Sequence, residues 1–197
     1  QRPAAGSTPF TIPFNFESGQ VRGVEFEIRQ DAGKWLKWLD GLSIGANATF
    51  LDATVEIPKR DVGKIAEMLD DPAKYDLDER RMKDQPEYIF NLYLLYDYEK
   101  LGTSCGVYFN HKGETLLAGE DANGDDYIAN RVAKPRSSLN LVFNQQLTKN
   151  FKISLKAENV LNPEIEEVWQ SDYIPVEAAA ESYKKGVTYS MSLSGTF

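Results

Sequence analysis

The sequence predicts an all-β protein, an antiparallel up-and-down transmembrane β-barrel of which residues 1–197 form the C-terminal portion, about seven strands of one barrel domain. Three observations predict it. Apolar and polar side chains alternate in seven separate stretches, the connections between stretches alternate between short and long, and aromatic residues gather near the stretch ends. Alternation with a period of two marks a strand with one apolar and one polar face.

In chain order, Val24, Phe26 and Ile28 oppose Glu25, Glu27 and Arg29, and Leu42, Ile44, Ala46 and Ala48 oppose Ser43, Gly45, Asn47 and Thr49. Tyr88, Phe90, Leu92, Leu94, Tyr96 and Tyr98 oppose Ile89, Asn91, Tyr93, Leu95 and Asp97. Thr103, Cys105, Val107 and Phe109 then oppose Ser104, Gly106, Tyr108 and Asn110. Leu139, Leu141, Phe143, Gln145 and Leu147 alternate with Ser138, Asn140, Val142, Asn144 and Gln146, and Phe151, Ile153, Leu155 and Ala157 with Lys152, Ser154, Lys156 and Glu158. These two stretches read as a hairpin turning at Thr148-Lys149-Asn150, with Asn150 supplying tolerance for left-handed backbone. The last stretch sets Val187, Tyr189, Met191, Leu193, Gly195 and Phe197 against Thr188, Ser190, Ser192, Ser194 and Thr196.

The connections at 31–41, 99–102 and 148–150 are short, and those at 58–84, 115–134 and 162–184 are long. Outer-membrane barrels sort their loops in this way, with short turns periplasmic. In the first long connection Val62, Ile65, Ala66 and Leu69 have helical spacing, which predicts a short amphipathic helix packed on the barrel mouth. The nearby Glu67, Asp70 and Asp71 speak against anionic lipid as its target.

Composition bounds the alternatives. At 22.2 kDa the chain is the size of one domain, and its mean hydropathy of −0.45 with no long apolar run leaves no transmembrane helix, which needs about 20 apolar residues. In a barrel wall only alternate residues meet lipid, so low hydropathy is compatible with spanning. A net charge of −8 and a pI near 4.8 oppose nucleic-acid binding, which uses clustered Lys and Arg. The only cysteine, Cys105, excludes an internal disulfide, and the only histidine, His111, has no Cys or His near it in sequence, so neither a zinc site nor a cofactor is implied. No enzyme constellation is present. Asp121-Ala122-Asn123-Gly124-Asp125 has the opening spacing of a calcium loop, but Asp126 stands where that loop has Gly and Val132 where it has Glu, so an Asn-Gly turn is the better reading.

The polar faces carry Glu25, Glu27, Asp97, Lys152, Lys156 and Glu158, charges that would be penalised against lipid and therefore predict a lumen. Ile89, Leu95 and Val142 break the polar pattern, which a packed plug would explain. Tyr96, Tyr98, Phe151 and Phe197 fall at one rim, Tyr88 at the other, and Trp35 and Trp38 beside a short turn, as aromatic girdles do.

Three segments resemble sequence of TonB-dependent receptors. Val21-Arg22-Gly23-Val24-Glu25-Phe26-Glu27 resembles a strand of that family carrying Gly, an apolar residue and Glu before a periplasmic turn. Ala157-Glu158-Asn159-Val160-Leu161-Asn162 resembles the segment that leaves the penultimate strand, and the end from Tyr189 to Phe197 resembles the C-terminal signal read by the barrel assembly machinery. Gly195 departs from the apolar or aromatic residue often found two places before the end. The resemblance implies an outer-membrane location, energy-coupled uptake of a scarce substrate (siderophore, cobalamin, glycan or peptide), contact with TonB through an N-terminal plug, and Tyr189, Met191, Leu193 and Phe197 as the assembly signal. Single-chain barrels have an even strand number with both ends periplasmic, so seven strands predict further strands N-terminal to Gln1, and the resemblance implies that the plug lies there as well. Gln1 to Phe10 lack the marks of a secretory signal.

With the long connections outside, Tyr127, Trp169 and Tyr173 lie where a substrate arrives, and Asn91, Tyr93, Tyr108 and Asn110 line the upper lumen wall; for the loop aromatics plain loop packing is the alternative. Two rival readings remain: a complete eight-stranded barrel serving as an adhesin, an anchor or an acyl-chain enzyme, with an extra strand at 9–16 broken by Pro13, and a soluble β-rich binding module.

Overall fold

The computed structural model describes residues 16–123, 126–173, 175 and 177–196. Of the candidate extra strand at 9–16 only Phe16 falls among them, and Phe197 lies outside.

The described residues are mostly β and form antiparallel sheets of eight, four and two strands. Seven long strands form one meander: β1 (Gly19–Asp31), β2 (Leu42–Glu56), β4 (Tyr88–Tyr98), β5 (Thr103–Lys112), β10 (Arg136–Gln146), β11 (Phe151–Glu158) and β14 (Thr188–Gly195), each hydrogen-bonded to the next. A short β3 (Glu79–Arg81) adds to the end of β2 as the eighth strand. β1 and β14 are the edges of the path.

The register carries the alternation across the whole sheet. Phe26 faces Ala48, which faces Phe90; Ile44 faces Leu94, which faces Val107, then Leu141, Ala157 and Tyr189. A one-residue slip in any pair would move that strand's apolar set to the other face, and none occurs. Phe151 and Leu193 accordingly share one face, and Lys152 and Ser192 the other. The apolar face is bare: Phe26 is 63 % exposed, Ile28 68 % and Met191 73 %. At the small side chains of Ala46 and Ala48 it dips into an apolar trough of about 390 Å³ bounded by Phe26, Ile28, Phe90 and Leu92. Among the described residues, the one buried apolar side chain that belongs to the seven long strands is Val55, at the far end of β2.

The core lies in the connections. In an antiparallel meander successive connections fall at opposite ends, so the three short ones share one end and the three long ones the other. The short connection after β1 winds through 3-10 turns at Ala32–Lys34 and Lys37–Leu39, leaving Trp35 and Trp38 exposed. The long connections, which the sequence predicts as loops, carry strands of their own. They hold β6 (Thr115–Ala118), β7 (Asp121–Asn123), β8 (Asp126–Ile128), β9 (Asn130–Ala133), β12 (Glu164–Gln170) and β13 (Glu177–Lys184). β13, β12, β9 and β6 pair in that order as a second, four-stranded sheet drawn from two different connections, and β7 pairs β8 separately. Leu116, Val132 and Val168 form its buried cluster. Sequence missed this sheet because its central pairing, β9 with β12, joins segments with no turn between them, and β13 begins with three alanines among charged residues, a composition poor in strand formers.

The expected helix is present as α1 (Lys59–Glu67), with Ile65 fully buried and Leu69 beyond its last residue. The expected left-handed Asn150 is not: among the described non-glycine residues only Asp84, Asn159 and Asn162 have positive φ. The hairpin instead closes through the Thr148 hydroxyl, which accepts from the backbone N–H of Asn150 at 3.3 Å and of Phe151 at 3.1 Å. Asn150 turns its amide to the Thr196 carbonyl at 2.7 Å, tying the turn to the chain end.

Candidate functional site

The polar face of the large sheet brings four of the candidate residues together. Asn91 and Asn110 are direct cross-strand partners, and one row nearer the short turns so are Tyr93 and Tyr108. Asn47, which the sequence did not single out, completes an amide ladder across three strands: Asn110 Nδ2 donates to Asn91 Oδ1 at 2.7 Å, and Asn91 Nδ2 donates to Asn47 Oδ1 at 2.7 Å. Ser138 extends the row as the partner of Asn110. The signal for Asn47 was its equivalent place in its own alternation; only the register, invisible in a single sequence, aligns it.

The tyrosines lie over glycines. Tyr93 faces Gly45 in the ladder, and a Cβ on Gly45 would fall 2.0 Å from its Cζ. A Cβ on Gly106 would meet the Tyr108 ring at 2.8 Å and Leu95 Cδ2 at 3.2 Å. A ring laid on a strand glycine restores the contact area the missing side chain leaves. Leu95, Gly106 and Val142 occupy one row, so two of the three apolar exceptions form a local patch with the two rings; Ile89 lies elsewhere, beside Lys112.

The loop aromatics are placed apart from this group, in the layer made by the long connections. Trp169 is a half-buried residue of β12, with the Arg131 guanidinium 5.9 Å from its ring centre. Tyr173 packs edge-on against Tyr75 of the first long connection, centroids 5.2 Å apart. Both are engaged in holding connections together. Tyr127 lies in β8, and its side chain is outside what the structure describes.

Charged side chains cross-link the layer. Glu114 Oε1 accepts from Arg81 Nη1 at 3.0 Å and from Gln170 Nε2 at 3.1 Å, and Lys134 Nζ stands 3.8 Å from Oε2, so one carboxylate joins all three long connections. Arg131 spans Glu167 and Glu181, each at 2.6 Å. Those two glutamates are cross-strand partners, so the arginine relieves a like-charge opposition. Comparison with models of known families, with characterised proteins and with solved structures finds no match.

The segment Glu158-Asn159-Val160-Leu161-Asn162 has a definite local task. Asn159 (φ 58°), the residue after β11, is left-handed and its N–H donates to Asn140 Oδ1 at 2.8 Å; Asn162 (φ 43°) is left-handed too. Asn159 Nδ2 donates to the Gly186 carbonyl at 2.7 Å and the Gly186 N–H donates to Asn162 Oδ1 at 2.9 Å, closing both ends of the third long connection. Among the C-terminal residues, Tyr189, Met191 and Leu193 project from the apolar face of edge strand β14. Among the described residues no three His, Cys, Asp or Glu side chains converge on a metal position.

Proposed function

We propose that this chain is part of the wall of an outer-membrane β-barrel and belongs to a TonB-dependent transporter that takes up a scarce substrate through its lumen. The observation that carries the membrane reading is the apolar face, continuous in register over seven strands and bare of any protein covering. An exposed apolar patch of this breadth is foreign to a soluble monomer, which disfavours the soluble module. Lipid suits such a face, because a barrel satisfies its backbone between strands and presents alternate side chains to the hydrocarbon.

The dimensions support the same reading. β4 is 11 residues long, roughly 34 Å end to end, and at a tilt of about 40° that is about 26 Å along the membrane normal, close to the ~25 Å apolar band of such barrels. Rings lie at both ends of this band. Phe50, Tyr88, Phe90 and His111 cluster near the long connections, and Tyr96 and Tyr98 stack 6.3 Å apart near the short ones. On this reading the connection layer is extracellular, the polar face is the lumen wall, and the missing wall, the plug and the TonB contact are supplied by sequence upstream. The family assignment itself rests on the three sequence segments.

Two measurements test it. Leu94→Arg should reduce membrane-assembled protein through a midplane penalty of about 2–4 kcal/mol, whereas Asn144→Arg on the opposite face should not; equal effects would reject the face assignment. In the full gene product, substrate uptake should vanish when TonB is removed. TonB-independent uptake, or an upstream sequence without a plug, would transfer the chain to the smaller-barrel reading.

A further inference from the structure

One row nearer the long connections than the asparagine ladder, two cations face each other. Arg136 of β10 is the direct cross-strand partner of Lys112 of β5. Like charges directly opposite destabilise a sheet, and both residues are half-buried, where solvent screens them less. Among the described residues neither makes an ion pair or a side-chain hydrogen bond. The contrast with Arg131 is informative, since there a like-charge pair is bridged by an oppositely charged side chain. The acid closest in sequence, Glu114, is already held by Arg81, Gln170 and Lys134, while Glu87 is held by Arg81 and Glu177 by Lys134.

The geometry points to an anion site, in which Lys112 and Arg136 take the oxyanion group (carboxylate, phosphate or sulfate) of a small ligand, with Asn110 and Ser138 as flanking hydrogen-bond donors. A guanidinium fork engages two oxygens of such a group, and an ammonium adds a compact charge to a third. The ladder spends one donor of the Asn110 amide on Asn91, leaving the second for a ligand. The pair Asn110 and Ser138 stands in the next row, within a diagonal step of both cations. The inference rests on the barrel reading in one respect, that this face lines the path of a solute.

The test uses the full gene product in zwitterionic detergent, titrated with inorganic phosphate and with citrate while the backbone amide resonances of this segment are followed. Shifts confined to 110–112 and 136–138 are expected. In Lys112→Gln/Arg136→Gln, affinity should fall about tenfold or more, with amide dispersion unchanged, while Lys152→Gln should leave it intact. Shifts distributed over every Lys and Arg, no shift at these positions, or a response to anionic lipid but to neither soluble anion would each overturn the site. A spin-labelled detergent in the same sample separates this from the barrel reading. Broadening of Asn91 and Tyr93 in place of Leu92 and Leu94 would overturn the face assignment while the titration still decides whether the anion binds.

Discussion

The ring of Tyr93 lies across Gly45, its direct partner in the ladder between β2 and β4, so closely that a Cβ on the glycine would fall 2.0 Å from the ring. The contact is made by the far end of the ring, so a substitution at Gly45 displaces the tyrosine and leaves the backbone in place. Gly45→Val should destabilise the folded protein by about 1–3 kcal/mol, as overpacking does. In a Tyr93→Ala background the same change should cost less, with a coupling of at least ~0.5 kcal/mol. Denaturant unfolding of the four-member cycle measures it, and additive effects would show that the ring does not depend on the glycine.

Asn159 supports a second prediction. Its left-handed backbone and its side-chain hydrogen bond to Gly186 act on the same turn. Asn159→Ala should cost about 1–3 kcal/mol through strain and the lost bond, and Asn159→Gly, which removes only the side chain, should cost less. Hydrogen exchange at Gly186 and Val187 reads the effect locally; equal loss in both variants would assign everything to the hydrogen bond.

What could be read in the sequence follows from physics that is local in the chain. Alternation places Phe151 opposite Lys152 whatever strand lies alongside, and α1 is visible in the spacing of Val62, Ile65 and Ala66. Register is not local. The Asn47-Asn91-Asn110 ladder, the ring of Tyr93 on Gly45, and the facing of Lys112 by Arg136 each need two strands aligned, and the hydrophobic pattern fixes only the parity of that alignment. The sheet of the long connections was hidden for a related reason, since its central pairing, β9 with β12, joins residues of two different connections, as Arg131 finds Glu167 at a separation of 36. At the turn, residue type misleads in the opposite way: it predicts a left-handed Asn150, whereas the Thr148 hydroxyl two residues earlier caps the turn by accepting from the N–H groups of Asn150 and Phe151.

Arg131 between Glu167 and Glu181 gives a third prediction. Removing the guanidinium leaves two cross-strand carboxylates facing each other, so Arg131→Ala should loosen β12 and β13 more than loss of one surface ion pair, which is worth about 0–1 kcal/mol. Because the new term is repulsion between partly exposed charges, 1 M salt, with a screening length of about 3 Å, should recover part of the loss. Arg131→Ala/Glu181→Gln should recover it without salt. Protease susceptibility of 164–184 is the readout, and no protection by salt or by the second substitution would show that Arg131 acts through its contact with Trp169 alone.

The last strand carries the fourth prediction. Among the described residues β14 is paired only to β11, and Tyr189, Met191 and Leu193 are 77 %, 73 % and 64 % exposed. An edge so apolar and so long would template association with other chains, and on the barrel reading it is kept for two uses: recognition during assembly and pairing with the wall's first strand at closure. Thr196 is fastened to the turn between β10 and β11, its N–H donating to the Asn150 carbonyl at 3.0 Å and its carbonyl accepting from Asn150 Nδ2 at 2.7 Å. Loss of the residue after it should therefore leave β14 in register with β11. Deleting Phe197 from the full gene product should lower the heat-modifiable barrel in the outer membrane several-fold with synthesis unchanged, and Leu193→Asn should do the same, while Ser192→Asn on the polar face should not. An undiminished barrel in both the Phe197 deletion and Leu193→Asn would remove the assembly role from this strand and leave only its pairing with β11.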